Sequence, residues 1–292
     1  MNEVLPGLYI VSTPIGNLND ITLRALDILK KSDIILCEDT RRSLKLLNYF
    51  GIKKKLLSYH KFNEKKELAK TIEYLNEGKI LSLISDAGTP ILSDPGQLLV
   101  QSCIDNKVNI IPIPGPSSIT SSIVVSGFSD QFLFYGFLSK KEKEVEKELN
   151  NLKDIDFSII FFIPAIKINF YLKVFKNYFI GRKILIAREI TKIHETFYRD
   201  EIDSIKTFKA NLKGELTVVI SKKYNKSEKV IDSEKIKKEA VKYLRKYSLK
   251  DVVELIAQKE KRPKNEIYRM CLEIKKNHPT SRDEKKSPNL SG

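Results

Sequence analysis

Short runs of aliphatic and β-branched residues alternate with amphipathic stretches through the first 115 residues of the chain. Within an amphipathic stretch the apolar positions share one helical face, as do Leu23, Leu26, Ile28 and Leu29. The apolar runs predict strands over residues 8–12, 33–37, 55–59, 79–85 and 108–113. Strands that alternate with helices are typical of a mainly parallel sheet with helices on both faces, so we expect an α/β fold.

The helices between these strands have recognisable ends. Asp20 or Thr22 caps the first, and Gly51 stops a helix predicted over 40–50. Two further helices are predicted over 64–76 and 96–106.

A second unit, residues 116–225, has its own strand-like runs and a charged helix predicted over 140–152. Its strands are expected over 132–137, 157–162, 183–188 and 216–221. Residues 227–233 look like a linker.

Beyond that linker, three short helical patterns, 234–246, 249–259 and 264–277, predict a small helix-turn-helix-like module, with Pro263 breaking the last two apart. We therefore expect an N-terminal αβα domain (1–115), a second one (116–225), a basic helical module (226–280) and a disordered tail (281–292).

Charge indicates a polyanionic partner. The chain has 52 Lys and Arg against 37 Asp and Glu, and residues 226–292 alone have 19 against 11. Cations that neutralise phosphates release counterions, which favours a nucleic acid. Arginines are only 10 of the 52, however, so a lysine-rich composition without a binding role is the alternative.

Other chemistry is disfavoured by what the sequence lacks. The longest apolar run, 157–166, is far shorter than the ~20 residues of a membrane span, and the first residues do not form a secretion signal. Three dispersed cysteines and three histidines argue against a disulfide framework and against a zinc site. We expect a cytoplasmic protein without a metal.

Three clusters of glycine and proline each follow a predicted strand: 13–17, 85–96 and 112–118. Each alone is ordinary turn chemistry. Together, at one edge of one sheet, they would line a crevice with rigid backbone. None contains the glycine patterns that bind dinucleotides or nucleoside triphosphates, so a ligand without a pyrophosphate is expected there.

Several of these motifs occur in one fixed order that carries a family resemblance. They are Leu8 to Leu18, Cys37-Glu38-Asp39-Thr40-Arg41, Ser58-Tyr59-His60, Ser85 to Pro90, Ser93 to Gly96, Pro114 to Ser117, Arg188 to Glu195 and Lys213-Gly214-Glu215. In these motifs the chain resembles the ribosomal RNA small subunit methyltransferase I family of the tetrapyrrole methylase superfamily. The resemblance weakens after about residue 223.

The resemblance implies transfer of a methyl group from S-adenosylmethionine to the ribose 2′-hydroxyl of a cytidine in the decoding region of 16S rRNA. It also implies two αβα domains with the methyl donor in a trough between them, and a homodimer. The donor-binding residues it points to are Pro14, Ile15, Ser85, Asp86, Thr89, Ser117 and Ser118, with Phe162 and Ile190 from the second domain. For Asp86 the alternative role is capping the turn at Gly88.

Positioning should dominate the chemistry, because near-attack geometry supplies roughly 7–11 kcal/mol whereas a general base supplies about 3–5 kcal/mol. Glu38, Asp39 and His194 are our candidates for the proton acceptor, and Arg41 and Arg188 for aligning the RNA. Capping of a helix is the alternative role for Glu38 and Asp39, and a structural role for His194.

In the C-terminal module, basic residues interleaved with tyrosines suit contact with an RNA backbone and base stacking. The candidates are Arg245, Lys246, Lys261, Arg262 and Lys264. The apolar residues between them, at helical spacing, make a small core whether or not RNA binds.

One segment departs from the family. Where the family usually reads Phe-Tyr-Glu-Ser-Pro-His-Arg, this chain has Phe161-Phe162-Ile163-Pro164-Ala165-Ile166-Lys167. This change keeps open one rival function, an inactive RNA-binding assembly factor of the same fold. A second rival is a superfamily relative that methylates a small molecule such as a tetrapyrrole, which the net charge and the basic C-terminal helices disfavour.

Overall fold

A computed structural model describes residues 4–210, 212–223, 226–260 and 264–277. The first sheet consists of β1 (Gly7–Val11), β2 (Ile34–Cys37), β3 (Lys55–Ser58), β4 (Ile80–Ile84) and β5 (Ile110–Ile113). All pairings are parallel, in the order β3-β2-β4-β1-β5. The predicted parallel sheet is confirmed, with strand bounds within two residues of those expected.

Helices cover both faces of this sheet, as the alternating pattern predicted. They are α1 (Leu23–Lys31), α2 (Thr40–Tyr49), α3 (Glu64–Asn76) and α4 (Gln97–Asp105). Thr22, rather than Asp20, caps α1, because its side chain accepts a hydrogen bond from the Ala25 N–H. One apolar layer packs under α1 and α2 and a second under α3 and α4.

The second sheet is mixed rather than parallel. Its strands are β6 (Phe132–Phe137), β7 (Ser158–Pro164), β8 (Lys183–Arg188), β9 (Thr196–Glu201) and β10 (Glu215–Ile220), in the order β6-β7-β10-β8-β9. Only β6 and β7 are parallel neighbours. The edge strand β9 was not predicted, because its sequence TFYRDE is polar and half of it is exposed.

Three helices flank the second sheet: α5 (Ser118–Ser126), α6 (Glu142–Leu152) and α7 (Ile168–Tyr178). Helix α5 packs on one face through Ile119 and Ile123, and α6 and α7 cover the other. The fold is therefore α/β. It contains two sheets, each covered by helices on both faces, and both lie within residues 4–223.

The C-terminal helices are α8 (Lys226–Leu244), α9 (Leu249–Lys259) and α10 (Lys264–Asn277). The expected linker over 227–233 is wrong, because these residues form the first turns of α8. Ile236, Val252, Ile256, Ile267 and Cys271 are buried in a core of the module's own.

By its contacts the chain divides at residue 224 into two compact units. The finer boundary near residue 115 stays a prediction, and the expected tail at 281–292 lies outside the described residues. Of the helices described, none has the length and apolar character needed to cross a bilayer.

Candidate active site

The loops that follow β1, β4 and β5 meet at one edge of the first sheet, because these three strands are parallel neighbours. Thr13 and Gly88 exchange two backbone hydrogen bonds, of 2.9 and 3.0 Å. The hydroxyls of Ser12 and Thr89 are 3.0 Å apart and share a hydrogen bond. The Thr89 hydroxyl also donates to the Pro116 carbonyl at 3.5 Å, so the three glycine- and proline-rich clusters form one continuous wall.

A cavity of about 390 Å³ lies between this wall and the second sheet. From the first wall it is lined by Ile15, Asp86, Thr89 and Asp94, among others, and its opposite side comes from β7, β8, β10 and their loops. Its volume suits a small organic ligand.

Seven of the nine residues that the resemblance assigned to donor binding line this cavity: Ile15, Asp86, Thr89, Ser117, Ser118, Phe162 and Ile190. The other two do not line it. Pro14 is buried. The Ser85 hydroxyl donates to the carbonyls of Ala87, at 3.2 Å, and Gly88, at 3.3 Å, and so shapes the loop.

Asp86 stands at the polar side of the cavity. Its carboxylate accepts a hydrogen bond from the Asp39 N–H at 3.2 Å and pairs with Arg42 at 3.1 Å. Within the described part of the chain, its side chain makes no hydrogen bond that caps the turn at Gly88. Asp86 thus links the loop after β4 to the start of α2.

Asp94 is a cavity residue that the sequence did not single out. Of the carboxylates that line the cavity, Asp86 pairs with Arg42 and Glu215 with Lys192, whereas Asp94 has no ion pair among the described residues. Burial, with Glu38 and Asp86 nearby, raises the pKa of Asp94 to about 6. The only feature of the sequence that could have pointed to Asp94 was its place in the turn Ser93 to Gly96.

The turn that carries Asp94 is strained. Ile91 and Ser93 have φ of 78° and 70°, in the left-handed region that side chains rarely adopt. Gly96 has φ of 127° and its N–H donates to the buried Glu64 carboxylate at 3.0 Å. Such strain persists where surrounding structure fixes it, often at functional sites. The turn is therefore a rigid support for Asp94.

The predicted catalytic residues lie outside the cavity lining. Asp39 caps α2 by accepting from the Arg41 N–H at 2.9 Å, and its carboxylate also pairs with the Arg41 guanidinium at 2.8 Å. These bonds hold the pKa of Asp39 far below its usual range. Glu38 is half-buried and near Asp94, whereas His194 is exposed.

A polar clamp joins the two sheets beside the cavity. The Asn17 N–H donates to the Thr191 hydroxyl at 3.1 Å, and a side chain at Gly16 would collide with Thr191 and Lys192. Lys192 in turn donates to Glu189 at 3.0 Å and to Glu215 at 3.1 Å.

The same clamp explains two of the motifs, Arg188 to Glu195 and Lys213 to Glu215. The Glu189 carboxylate accepts from the Glu215 N–H at 2.8 Å and occupies the space that a side chain at Gly214 would need. Burial favours the neutral form of Glu189, but these bonds outweigh it and lower its pKa.

Aromatic rings form the apolar side of the cavity. The Phe162 ring lies between Phe134 and Phe137, with centroids 5.0 and 5.3 Å away. In the segment that departs from the family, Phe162, Ile163 and Pro164 line the cavity, whereas Ile166 is exposed and Lys167 does not line it.

The residues predicted to bind RNA lie on two different units. The Arg188 Nε donates to the Lys213 carbonyl at 2.8 Å. Arg245 and Lys246 are exposed at the end of α8, and Lys264 is exposed but pairs with Glu254 at 2.6 Å. Lys261 and Arg262 lie outside the described residues. No cluster of three or more metal-ligating side chains occurs in the described part of the chain.

Comparison with known proteins identifies the family. The sequence model of the tetrapyrrole (corrin/porphyrin) methylase family matches residues 7–206 of this chain. Ribosomal RNA small subunit methyltransferase I from Mesomycoplasma conjunctivae is 46% identical over 75% of this chain and 93% of its own length. The protein of the same name from Rickettsia prowazekii is 43% identical over 90% and 95%.

A solved structure shows the same fold at low sequence identity. Uroporphyrin-III C-methyltransferase from Thermus thermophilus, complexed with S-adenyl homocysteine, superposes with a TM-score of 0.53 and 14% identity, over 74% of this chain and 97% of that one. The chain belongs to the tetrapyrrole methylases and, within them, to the ribosomal RNA small subunit methyltransferase I family.

Proposed function

We propose that this protein transfers a methyl group from S-adenosylmethionine to the ribose 2′-hydroxyl of a cytidine in the decoding region of 16S rRNA, within the small ribosomal subunit. The observation that carries the proposal is the cavity between the two sheets, with one aromatic side and one acidic side. The names of the relatives supply the substrate class. The resemblance extends the proposal to a homodimer in the cytoplasm.

The cavity has the chemistry that this methyl donor requires. Phe162 and Ile190 offer apolar surface for an adenine, and Asp86 offers negative charge toward the positively charged groups of the donor. Ser117 and Ser118 add hydroxyls at the start of α5. S-adenosylmethionine, when bound, supplies a methyl group activated by a positively charged sulfur.

The attacking ribose hydroxyl must lose its proton, and we infer that Asp94 accepts it. Asp39, our candidate from the sequence, is held as an ion pair and a helix cap and is therefore a weak base. His194 is exposed and does not line the cavity. An unpaired carboxylate with a pKa of about 6 is ionised at neutral pH and is a much stronger base than an ordinary one.

Glu38 acts beside Asp94 in this proposal. It contributes to the raised pKa of Asp94, so its charge increases the basicity of that carboxylate. The proton leaves the hydroxyl as the oxygen–methyl bond forms and the methyl–sulfur bond breaks, with the bonding electrons going to sulfur. The positive charge on sulfur and the negative charge on the Asp94 carboxylate are therefore neutralised in the same step.

Contacts with the RNA are assigned to cations of both units. Arg41 is 86% exposed beside the cavity residue Arg42, although one face of it pairs with Asp39. Arg188 stands at the end of β8, and Arg245, Lys246 and Lys264 are exposed on the C-terminal helices. Such contacts hold the backbone while the cavity holds the donor.

The departure at residues 163–167 favours one alternative, an RNA-binding assembly factor without activity. Incubating the protein with methyl-labelled donor and small subunits that lack the modification separates the two. Label on one ribose of 16S rRNA supports the proposal. RNA binding without label supports the alternative, and label on a tetrapyrrole instead would indicate the small-molecule methyltransferase.

A further inference from the structure

An exposed aromatic ring with three lysines close to it in the sequence lies at the same sheet edge as the cavity, two strands away. Phe62 is 95% exposed in the loop between β3 and α3, and Lys61, Lys65 and Lys66 beside it are also exposed. None of these three lysines has an ion pair within the described ranges. With Arg41 these residues are called the Phe62 patch.

The loop that presents Phe62 is ordered by its own hydrogen bonds. Asn63 accepts from the His60 N–H at 2.8 Å and donates to the Ser58 carbonyl at 2.9 Å. The Phe62 N–H donates to the His60 Nδ1 at 3.2 Å. A phenylalanine that a well-bonded loop still points into water leaves apolar surface uncovered, and a binding partner could cover it.

Strand order connects this patch to the cavity. Cys37 at the end of β2 pairs with Ser58 at the end of β3, and the Tyr59 N–H donates to the Cys37 carbonyl at 2.8 Å. The loop after β2 leads to Arg41 and to Arg42, which lines the cavity and pairs with Asp86. The edge therefore runs from Asp86, past Arg42 and Arg41, to Phe62.

We propose that the Phe62 patch binds single-stranded RNA next to the target nucleotide, with one base stacked on Phe62 and phosphates at Lys61, Lys65 and Lys66. This inference rests on the proposed function for its substrate. An exposed ring among unpaired cations is the combination that single-stranded nucleic acids require, since every base has a face that stacks and every nucleotide has a phosphate. Single-stranded RNA is favoured over an acidic protein surface, because the names of the relatives give ribosomal RNA as the substrate.

The test compares Phe62→Ala with Phe62→Trp in the full-length protein. Binding to a single-stranded oligonucleotide of the 16S rRNA decoding region is measured by fluorescence anisotropy, and donor binding by calorimetry. We expect Phe62→Ala to weaken RNA binding about 10-fold or more, Phe62→Trp to retain it, and donor affinity to stay unchanged in both. The matched control is Ile104→Ala, an exposed apolar residue at the opposite end of the sheet.

A charge variant tests the phosphate contacts separately. Replacing Lys61, Lys65 and Lys66 with glutamine should lower the slope of log K against log salt by about 2, at roughly 0.7 per phosphate contact on a single strand. The control replaces Lys30, Lys53 and Lys107, which are exposed before β2, β3 and β5, and changes net charge equally.

Equal RNA affinities for Phe62→Ala and Ile104→Ala would overturn the inference. So would a loss seen with whole small subunits but not with the oligonucleotide, because the partner would then be a ribosomal protein. RNA binding is measured without methylation. A wild-type protein that binds RNA through Phe62 but transfers no methyl group would contradict the proposed function and leave this inference standing.

Discussion

At the scale of single residues, the environment of each carboxylate decides its role. Three aspartates lie in loops at the same sheet edge: Asp39, Asp86 and Asp94. Asp39 forms an ion pair with Arg41 and Asp86 forms one with Arg42, whereas Asp94 pairs with neither arginine. The sequence analysis named Asp39 as a candidate base and did not consider Asp94, because a helix-capping aspartate and a catalytic base cannot be told apart within a motif. The structure distinguishes the two, because the Asp39 carboxylate lies 2.8 Å from the Arg41 guanidinium and Asp94 has no such partner among the described residues.

Replacing Asp86 with alanine should weaken donor binding. The change deletes a charged hydrogen-bond acceptor at the cavity wall and frees Arg42, so affinity for S-adenosylmethionine should fall about 10- to 100-fold, as for loss of a charged hydrogen bond. Calorimetry measures this. Asp27→Ala, which removes an exposed carboxylate paired with Lys31 on α1, is the control; unchanged affinity in Asp86→Ala would remove Asp86 from the donor site.

Replacing Asp94 with asparagine should slow methyl transfer by about 10²–10⁴-fold under single-turnover conditions, with donor affinity retained. Wild-type rates should fall as pH drops through about 6, because the base becomes protonated. The groups that face Asp94 are Glu38, the Ser85 hydroxyl, which hydrogen-bonds to it, and Asp86 with its partner Arg42. Loss of the pH dependence in Asp94→Asn and partial recovery in Asp94→Glu identify the base; an unaltered profile in Asp94→Asn excludes it.

The same substitution should not destabilise the fold. The native pKa of Asp94 lies above the ordinary value of 3.8, so the ionised carboxylate is disfavoured in the native state and costs stability above about pH 6. Asn removes that cost. The free energy of unfolding of Asp94→Asn should thus equal or exceed that of wild type at pH 8, and the advantage should vanish below about pH 4.

At the scale of elements, one buried arginine ties the second sheet together. Arg182 is 1% exposed, and its guanidinium donates to the carbonyls of Lys153, Ile155 and Ser221, which lie after α6, before β7 and after β10. It also lies over the Phe179 ring, 5.2 Å from its centroid. Three connections therefore depend on a single side chain.

Arg182→Met should lower the free energy of unfolding by about 2–5 kcal/mol, because methionine fills the volume but leaves three carbonyls without their donor. Chemical denaturation measures the loss. Lys206→Met, at an exposed position, is the control. A loss below about 1 kcal/mol would mean that water replaces the guanidinium at these carbonyls.

At the scale of the whole molecule, two compact units divide the chain at residue 224. The cavity is built within the first unit, and α8 to α10 have a separate core in the second. Removing one unit should therefore leave the hydrophobic core of the other intact.

A protein truncated to residues 1–225 should keep donor affinity and bind 16S rRNA more weakly. The truncation removes 19 Lys and Arg against 11 Asp and Glu, including Arg245, Lys246 and Lys264. Filter binding at several salt concentrations measures the change, and the salt dependence should become shallower. Full rRNA methylation by the truncated protein would contradict an RNA role for the helical module.

The sequence by itself determined the strands and helices of the first sheet and the family. Apolar periodicity and the glycine and proline turns are local signals, so the strands of the first sheet lay within two residues of prediction and the loop clusters fell on one edge. The same signals failed at β9 and at residues 227–233, where polar composition hid a strand and a helix.

Only the tertiary structure decided which side chains meet. The cavity combines residues more than 100 positions apart, such as Ile15 with Ile190 and Asp86 with Glu215. Asp94 has no ion pair among the described residues because the nearby Arg42 pairs with Asp86 instead. Phe62 is exposed because the hydrogen bonds of Asn63 to His60 and Ser58 hold its loop in that conformation. These properties depend on distance and burial, which spacing along a chain does not encode.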